Sequence, residues 1–230
     1  MRKNIPALFF AIACLLNWTG RIWDIPGLAN AVKPALMPLL AAAVLAYAIN
    51  HRLDKRKLTL LICAELFGCV GDVCLLSDAF PLFAGGIGAF LVGHIFYVSL
   101  FGGESWKELS GKSWAAGVAV MGGLVFGLIK LLHVSGALLP LMAVYGSMLT
   151  LLMFSTFCGL VRLRDKGTWG ILFAGSVLFT FSDSLIAAGT FDAFHLPLHD
   201  FVIMFTYLVA QSLLAIGAVR LAKDRRQLPS

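Results

Sequence analysis

Charge is what this sequence has least of: Asp, Glu, Lys and Arg make up 13% of its 230 residues, while 60% are hydrophobic and the mean hydropathy is +0.89. A water-soluble domain of this length needs a charged surface that this chain lacks. Nor is there a polar stretch long enough for a separate soluble domain, because apolar segments able to cross about 30 Å of hydrocarbon as helices recur along the whole chain. Any function therefore sits inside an all-α, polytopic helical bundle in a membrane. CxxC spacing is also missing. The five cysteines, Cys14, Cys63, Cys69, Cys74 and Cys158, fall in apolar segments and read as small buried hydrophobes, so no disulfide or cysteine metal site follows. A small-x-small cleavage site is absent after the opening "MRKNIPALFFAIACLLNWTG", and an uncleaved first span is expected.

Breaking the chain at charged and turn-rich stretches gives one transmembrane domain over 1–230 with eight spans: 5–19, 28–49, 58–76, 81–101, 113–132, 137–161, 168–188 and 199–222. The connections are short, so neighbouring helices run antiparallel. Of the 18 basic residues, Arg2, Lys3, Arg52, Lys55, Arg56, Lys57, Lys107, Lys112, Arg162, Arg164, Lys166, Arg220, Lys223, Arg225 and Arg226 all fall on one side. Only Arg21 and Lys130 fall on the other. By the positive-inside rule both termini are cytoplasmic, as an even number of spans requires. The same asymmetry accounts for the net charge of +6 without an acidic partner or nucleic acid.

The remaining basic residue, Lys33, lies inside the second span. With Glu65, Asp72 and Asp183 it completes the formally charged set within the expected hydrocarbon. Counting at 1.5 Å per residue from the outer ends of spans two, three and seven places Lys33, Asp72 and Asp183 roughly 6–8 Å below the non-cytoplasmic boundary. Glu65 lies seven residues before Asp72, on nearly the same helix face. A charge facing lipid costs at least about 2.5–3.5 kcal/mol, so these groups are expected to face inward, pair, or line a polar cavity opening outward. Lys33 can simply pair with one aspartate to hold the bundle together. Two carboxylates around one lysine, however, leave an excess negative charge, and like charges in a poorly solvated site favour a proton on one of them, the state that acid catalysis requires.

Deeper still come His94 and Tyr97 on span four, Tyr145 on span six, and Tyr207 and Gln211 on span eight. His94 can equally be bonded to a backbone carbonyl, and the tyrosines and Gln211 can serve bundle packing. Gly85, Gly86 and Gly88 are expected to permit close helix approach. "HLPLH", His195 to His199, has a metal-like separation, but its proline and loop position make it an ordinary exposed loop and no metal site is expected. "GDVCL" in span three and "SDSLI" in span seven echo each other faintly. A four-helix duplication would set Asp72 and Asp183 across a pseudo-twofold axis.

"KPALMPLL" (Lys33 to Leu40), "GDVCLL" (Gly71 to Leu76), "FAGGIGAFLVGHIFYVSLF" (Phe83 to Phe101), "FSD" (Phe181 to Asp183) and "YLVAQSLLAIG" (Tyr207 to Gly217) resemble the YhhN-like family, which includes lysoplasmalogenases. The resemblance runs from the second span to the last, and it is carried by the set rather than by one motif. It implies hydrolysis of the vinyl ether bond of a lysoplasmalogen, a lysophospholipid, to a fatty aldehyde and glycerophosphoethanolamine or glycerophosphocholine, without a cofactor. Protonation of the vinyl β-carbon gives an oxocarbenium ion that water captures, so the reaction needs a proton donor and a nearby negative charge. Asp72 and Asp183 are expected in those roles, in either order. Lys33 would bind the phosphate or bias the proton between the aspartates. Glu65, His94, Tyr97, Tyr145, Ser182, Tyr207 and Gln211 make up the remaining expected substrate and water contacts; Ser182, beside Asp183, also leaves an acyl-serine route open.

The competing readings are a small proton-coupled transporter, since aspartates, a lysine and a histidine at intermediate depth also describe a proton relay, and a lipid-binding membrane subunit without chemistry. The helical spans suit a bacterial inner membrane.

Overall fold

The computed structural model describes residues 5–77 and 79–223. Arg2, Lys3, Arg225 and Arg226, assigned above to the cytoplasmic side, lie outside the described residues. Eight helices follow one another: α1 (Ile5–Ile22), α2 (Pro26–Asn50), α3 (Lys55–Cys74), α4 (Phe80–Ser105), α5 (Gly111–Leu131), α6 (Leu139–Arg162, led in by a 3-10 turn at Gly136–Leu138), α7 (Lys166–Thr190) and α8 (His199–Ala222). Among the described residues, seven of these helices are long and apolar enough to cross a membrane by length and composition. The exception is α3, because Lys57, Glu65 and Asp72 interrupt its apolar residues. Two of those interruptions, Glu65 and Asp72, are among the expected site residues.

Capping chemistry moves several helix starts earlier than hydropathy alone suggests. Asp54 accepts from the Lys57 amide at 3.1 Å, Ser110 from Ser113 at 3.2 Å and Asp165 from Thr168 at 3.0 Å, each satisfying an amide that the first turn leaves free. The basic residues assigned to loops thereby become first turns. At the opposite end α3 stops at Cys74, two residues before the expected 76. Leu75, Leu76 and Ser77 are left as the floor of an opening described below.

In sequence order α1, α2, α3 and α4 pack as neighbours, α4 passes the chain of contacts to α6, and α6, α7 and α8 continue it back to α1, α2 and α3. α5 leans on the outside of α6 and buries only Gly117. Close approach depends on glycine at particular places. A Cβ at Gly159 of α6 would lie 2.0 Å from Trp169, whose indole on α7 is fully buried, and one at Gly71 of α3 would lie 2.7 Å from the Phe90 ring on α4. Gly86 likewise fits closely against Leu75, but Gly85 and Gly88 have open space and do not serve packing. We predict that Gly159→Ala destabilises the purified protein by more than an ordinary overpacking cost of about 1–3 kcal/mol, read as a lowered thermal midpoint, because the fully buried Trp169 ring stands where the new Cβ would go. A melting curve matching the parent would show that α6 and α7 are not held by this contact.

α2 carries Pro34 and Pro38 in its interior. Pro38 has no N–H to offer the Pro34 carbonyl four residues back, and the Cys69 thiol of α3 donates to that oxygen at 3.4 Å instead. Cys69 is therefore a hydrogen-bond donor as well as the small hydrophobe expected from sequence.

The two ends of the bundle differ. On the side of the basic loops, Lys57 pairs with Glu104 and donates to the Leu221 carbonyl at 3.0 Å, Arg162 donates to Ser105 O at 3.0 Å, and a backbone bridge joins Leu53 to Lys223. These contacts tie α3, α4, α6 and α8 together at that end. On the other side Arg21 at the end of α1 reaches Asp200 at the start of α8, and the helices part around a polar cleft.

Candidate active site

Lys33, Asp72, Asp183, His94, Tyr97, Tyr145, Tyr207 and Gln211 are all buried, and the bundle brings them together from six helices. The Lys33 ammonium lies 3.7 Å from Asp72 Oδ1, an ionic contact, with both side chains largely hidden from solvent. Tyr207 donates to Asp72 Oδ2 at 2.9 Å, Gln211 Nε2 donates to the Tyr207 hydroxyl at 3.3 Å, and Tyr97 donates to Gln211 Oε1 at 2.6 Å. Every donor in this chain points toward Asp72. Such an arrangement favours negative charge on that carboxylate, and the amide in its middle makes it a positioning chain rather than a path for protons.

Asp183 has a different neighbourhood. The Tyr145 hydroxyl donates to its Oδ2, and no basic residue faces it among the described ion pairs. Asp72 is close enough for the two carboxyls to interact electrostatically. Each aspartate meets a side chain of the preceding helix, Lys33 of α2 for Asp72 and Tyr145 of α6 for Asp183. One partner is a cation and the other a neutral donor, and this asymmetry separates the two carboxyls chemically.

Aromatic rings wall the centre. Phe179 stands edge-on to His94, Tyr207 and Phe90 with ring centroids 4.5, 5.5 and 6.5 Å away, and His94 meets Tyr145 at 5.5 Å. His94 Nδ1 shares a 2.8 Å hydrogen bond with the Phe90 carbonyl, whereas its Nε2 is buried with no protein partner. Both Glu65 oxygens are buried without a protein hydrogen bond as well, with Tyr97 in electrostatic range. Unpartnered polar atoms at such depth are where water or a substrate group belongs. Ser182 is placed otherwise: its hydroxyl donates to the Ile203 carbonyl at 2.9 Å and fastens α7 to α8.

Two openings reach this centre. A polar cleft of about 750 Å³ at the end of the bundle opposite the basic loops is lined by Arg21, Asn30, Lys33, His199, Asp200 and the residues after α3. A narrow apolar slot of about 70 Å³ runs between α4, α5, α6 and α7, is walled by residues such as Ile87, Leu128 and Leu149, and ends at Tyr145 and Asp183. Leu75, Phe83 and Ile186 belong to both. "HLPLH" is thus not merely an exposed loop, since His195 and His199 border the cleft, and His199 Nε2 bonds the Leu185 carbonyl at 3.1 Å. Sequence reading also passed over Arg21, Asn30 and Asp200. The available signal is that Arg21 is one of only two basic residues in the loops opposite the basic ones. Among the described residues no three His, Cys, Asp or Glu side chains converge as a metal site.

The model of the YhhN family matches residues 28–218, nearly the whole bundle from α2 to α8. The chain belongs to the YhhN family. Among its relatives, the Homo sapiens lysoplasmalogenase TMEM86A is 32% identical over 178 residues, covering 76% of this chain and 72% of the relative. The Mus musculus lysoplasmalogenase TMEM86B is 32% identical over 215 residues, covering 92% and 85%. No solved structure matches the chain significantly. The matched YhhN region contains both aspartates, Lys33 and every aromatic wall residue of the centre, but it leaves out Arg21.

Proposed function

We propose that this integral, multi-pass YhhN protein is a lysoplasmalogenase that hydrolyses the vinyl ether of a lysolipid by carboxylate acid–base catalysis. The observation that carries the reading is the position of Asp183, at the end of the apolar slot and beside the Lys33–Asp72 pair that faces the polar cleft. An amphiphile with one hydrocarbon chain fits that division. The first carbons of its chain lie in the slot, which has room for only a few, its head group lies in the cleft, and its vinyl ether lies between the two carboxyls.

The asymmetry of partners assigns the roles. Lys33 balances the charge of Asp72, which stays a carboxylate; Asp183 has no cation to balance it and holds a proton in this poorly solvated centre. Asp183 delivers that proton to the vinyl carbon on the chain side, and the new C–H bond takes the π electrons of the double bond. The positive charge that develops on the ether carbon and oxygen falls toward Asp72, which stabilises it electrostatically. Water adds to the cationic carbon and its proton returns to the Asp183 carboxylate. Collapse of the hemiacetal breaks the carbon–oxygen bond, giving a fatty aldehyde and the glycerol alcohol. His94 Nε2 and Glu65, both lacking protein partners, are placed to hold water near this path.

Helical spans, rather than a barrel, support a bacterial inner membrane as the location, and the gathering of basic residues at one end of the bundle supports a cleft that opens on the non-cytoplasmic side. The test is aldehyde release from a lysoplasmalogen by the purified protein in detergent, where no compartment exists. Turnover there meets the expectation for a hydrolase. Its absence from a folded, lipid-supplemented sample, together with solute movement across sealed vesicles, would replace this reading with a carrier.

A further inference from the structure

The outer cleft contains a charged group that the catalytic reading does not use. Arg21, at the end of α1, is held against the cleft wall with Nη2 donating to Asn30 Oδ1 at 2.8 Å and Nη1 to Asp200 Oδ2 at 3.2 Å, while its Nε is buried with no protein partner. Its side chain is 15% exposed, but that of Asp200 is 67% exposed. The cation is therefore fixed and the anion stands free at the rim. Lys33 lies three residues beyond Asn30 on α2, about one helical turn deeper, where the cleft meets the reacting centre.

We propose that Arg21 and Asp200 form a head-group site that selects lysolipids carrying a phosphate followed by an amine over those with a net negative head group. This rests on the lysolipid reading above. Moving outward from the carboxyl pair, the cleft offers Lys33, then Arg21, then the exposed Asp200. Moving away from its vinyl ether, the substrate offers a glycerol, a phosphate and an ammonium. The two charge sequences are complementary in order. Arg21 has an N–H free for a phosphate oxygen in addition to the two it shares with the wall, and guanidinium suits that geometry. Asp200 exchanges part of its contact with Arg21 for the ammonium, so the bound zwitterion replaces an ion pair by two. A head group ending in glycerol presents no cation there and leaves its own negative charge facing Asp200.

The test compares full-length parent, Asp200→Asn and Arg21→Gln on vinyl ether lysolipids with phosphoethanolamine and phosphoglycerol head groups. Binding of the corresponding alkyl ether lysolipids, which lack the reactive double bond, is measured alongside. Asp200→Asn keeps an oxygen for Arg21 and is expected to lower the ratio of kcat/KM for ethanolamine over glycerol lipids by about three- to tenfold, with a matching change in the binding ratio. Arg21→Gln is expected to weaken both lipids about tenfold, chiefly through KM. An unchanged ratio in folded Asp200→Asn would overturn the proposal. So would equal losses on both head groups in both variants, which is what a pair serving only to fasten α1 to α8 produces. If the parent turns over neither lipid, yet alkyl ether binding still responds to Asp200→Asn by head group, the catalytic reading fails and the head-group site stands.

Discussion

Asp183→Asn is expected to lower kcat for aldehyde release by about 10²- to 10⁴-fold, the contribution of a positioned general acid, while leaving lysolipid binding within a few-fold of the parent. The amide preserves the acceptor for the Tyr145 hydroxyl, so the local fold survives the change. Asp72→Asn also lowers kcat, but for another reason: it removes the negative charge that faces the cation, an electrostatic loss of about 10²- to 10³-fold, and it strands Lys33. Isotopes test the protonation step itself. Run in heavy water, the reaction should leave deuterium on the aldehyde carbon next to the carbonyl, because the proton delivered by Asp183 ends on carbon. It should also slow, because that transfer is the difficult step. An enol released by opening the glycerol–oxygen bond would also take up deuterium there, so the rate and oxygen-18 carry the test: an unchanged kcat in heavy water, or label from water in the glycerol alcohol rather than in the promptly reduced aldehyde, would bring the two-carboxylate mechanism down.

Much of this was legible in the sequence because a bilayer makes charge expensive. Lys33, Glu65, Asp72 and Asp183 stand out in apolar runs, and burial with few partners follows from the cost of exposing them to lipid. Counting depth from helix ends brought Lys33, Asp72 and Asp183 to one level, and the ionic contact of Lys33 with Asp72 agrees with it. What hydropathy could not resolve was hydrogen-bond chemistry at short range. Asp54, Ser110 and Asp165 lengthen helices through single side-chain bonds, Pro38 recruits Cys69, and Ser182 spends its hydroxyl on the backbone of α8. None of these changes a window average. The same holds for Gly71, Gly86 and Gly159 against Gly85 and Gly88, since a glycine's role depends on which residue faces it from another helix. Asp200 was hidden for a third reason. It lies in a loop-like stretch that is polar enough to need no explanation until Arg21, 179 residues away in sequence, is found beside it.

The Lys33–Asp72 pair should dominate stability as well as activity, and a double-mutant cycle can separate the two. Both side chains are largely inaccessible, at 10% and 3% exposure, so removing one partner leaves a poorly solvated charge without its counter-ion, most severely at Asp72. Lys33→Met alone, or Asp72→Asn alone, is expected to cost about 3–5 kcal/mol. The double variant should be less destabilised than the sum by about 0.5–3 kcal/mol, because it leaves no unpaired charge and Tyr207 can still donate to the new amide oxygen. Thermal or denaturant unfolding in detergent reads this directly, and additive losses would mean that the two residues do not share a pair. Activity should not follow stability. The double variant regains fold but lacks the carboxylate that faces the oxocarbenium ion, so its kcat stays as low as that of Asp72→Asn. Recovery of turnover together with stability would reduce the pair to a structural clamp and leave Asp183 to carry the chemistry without it.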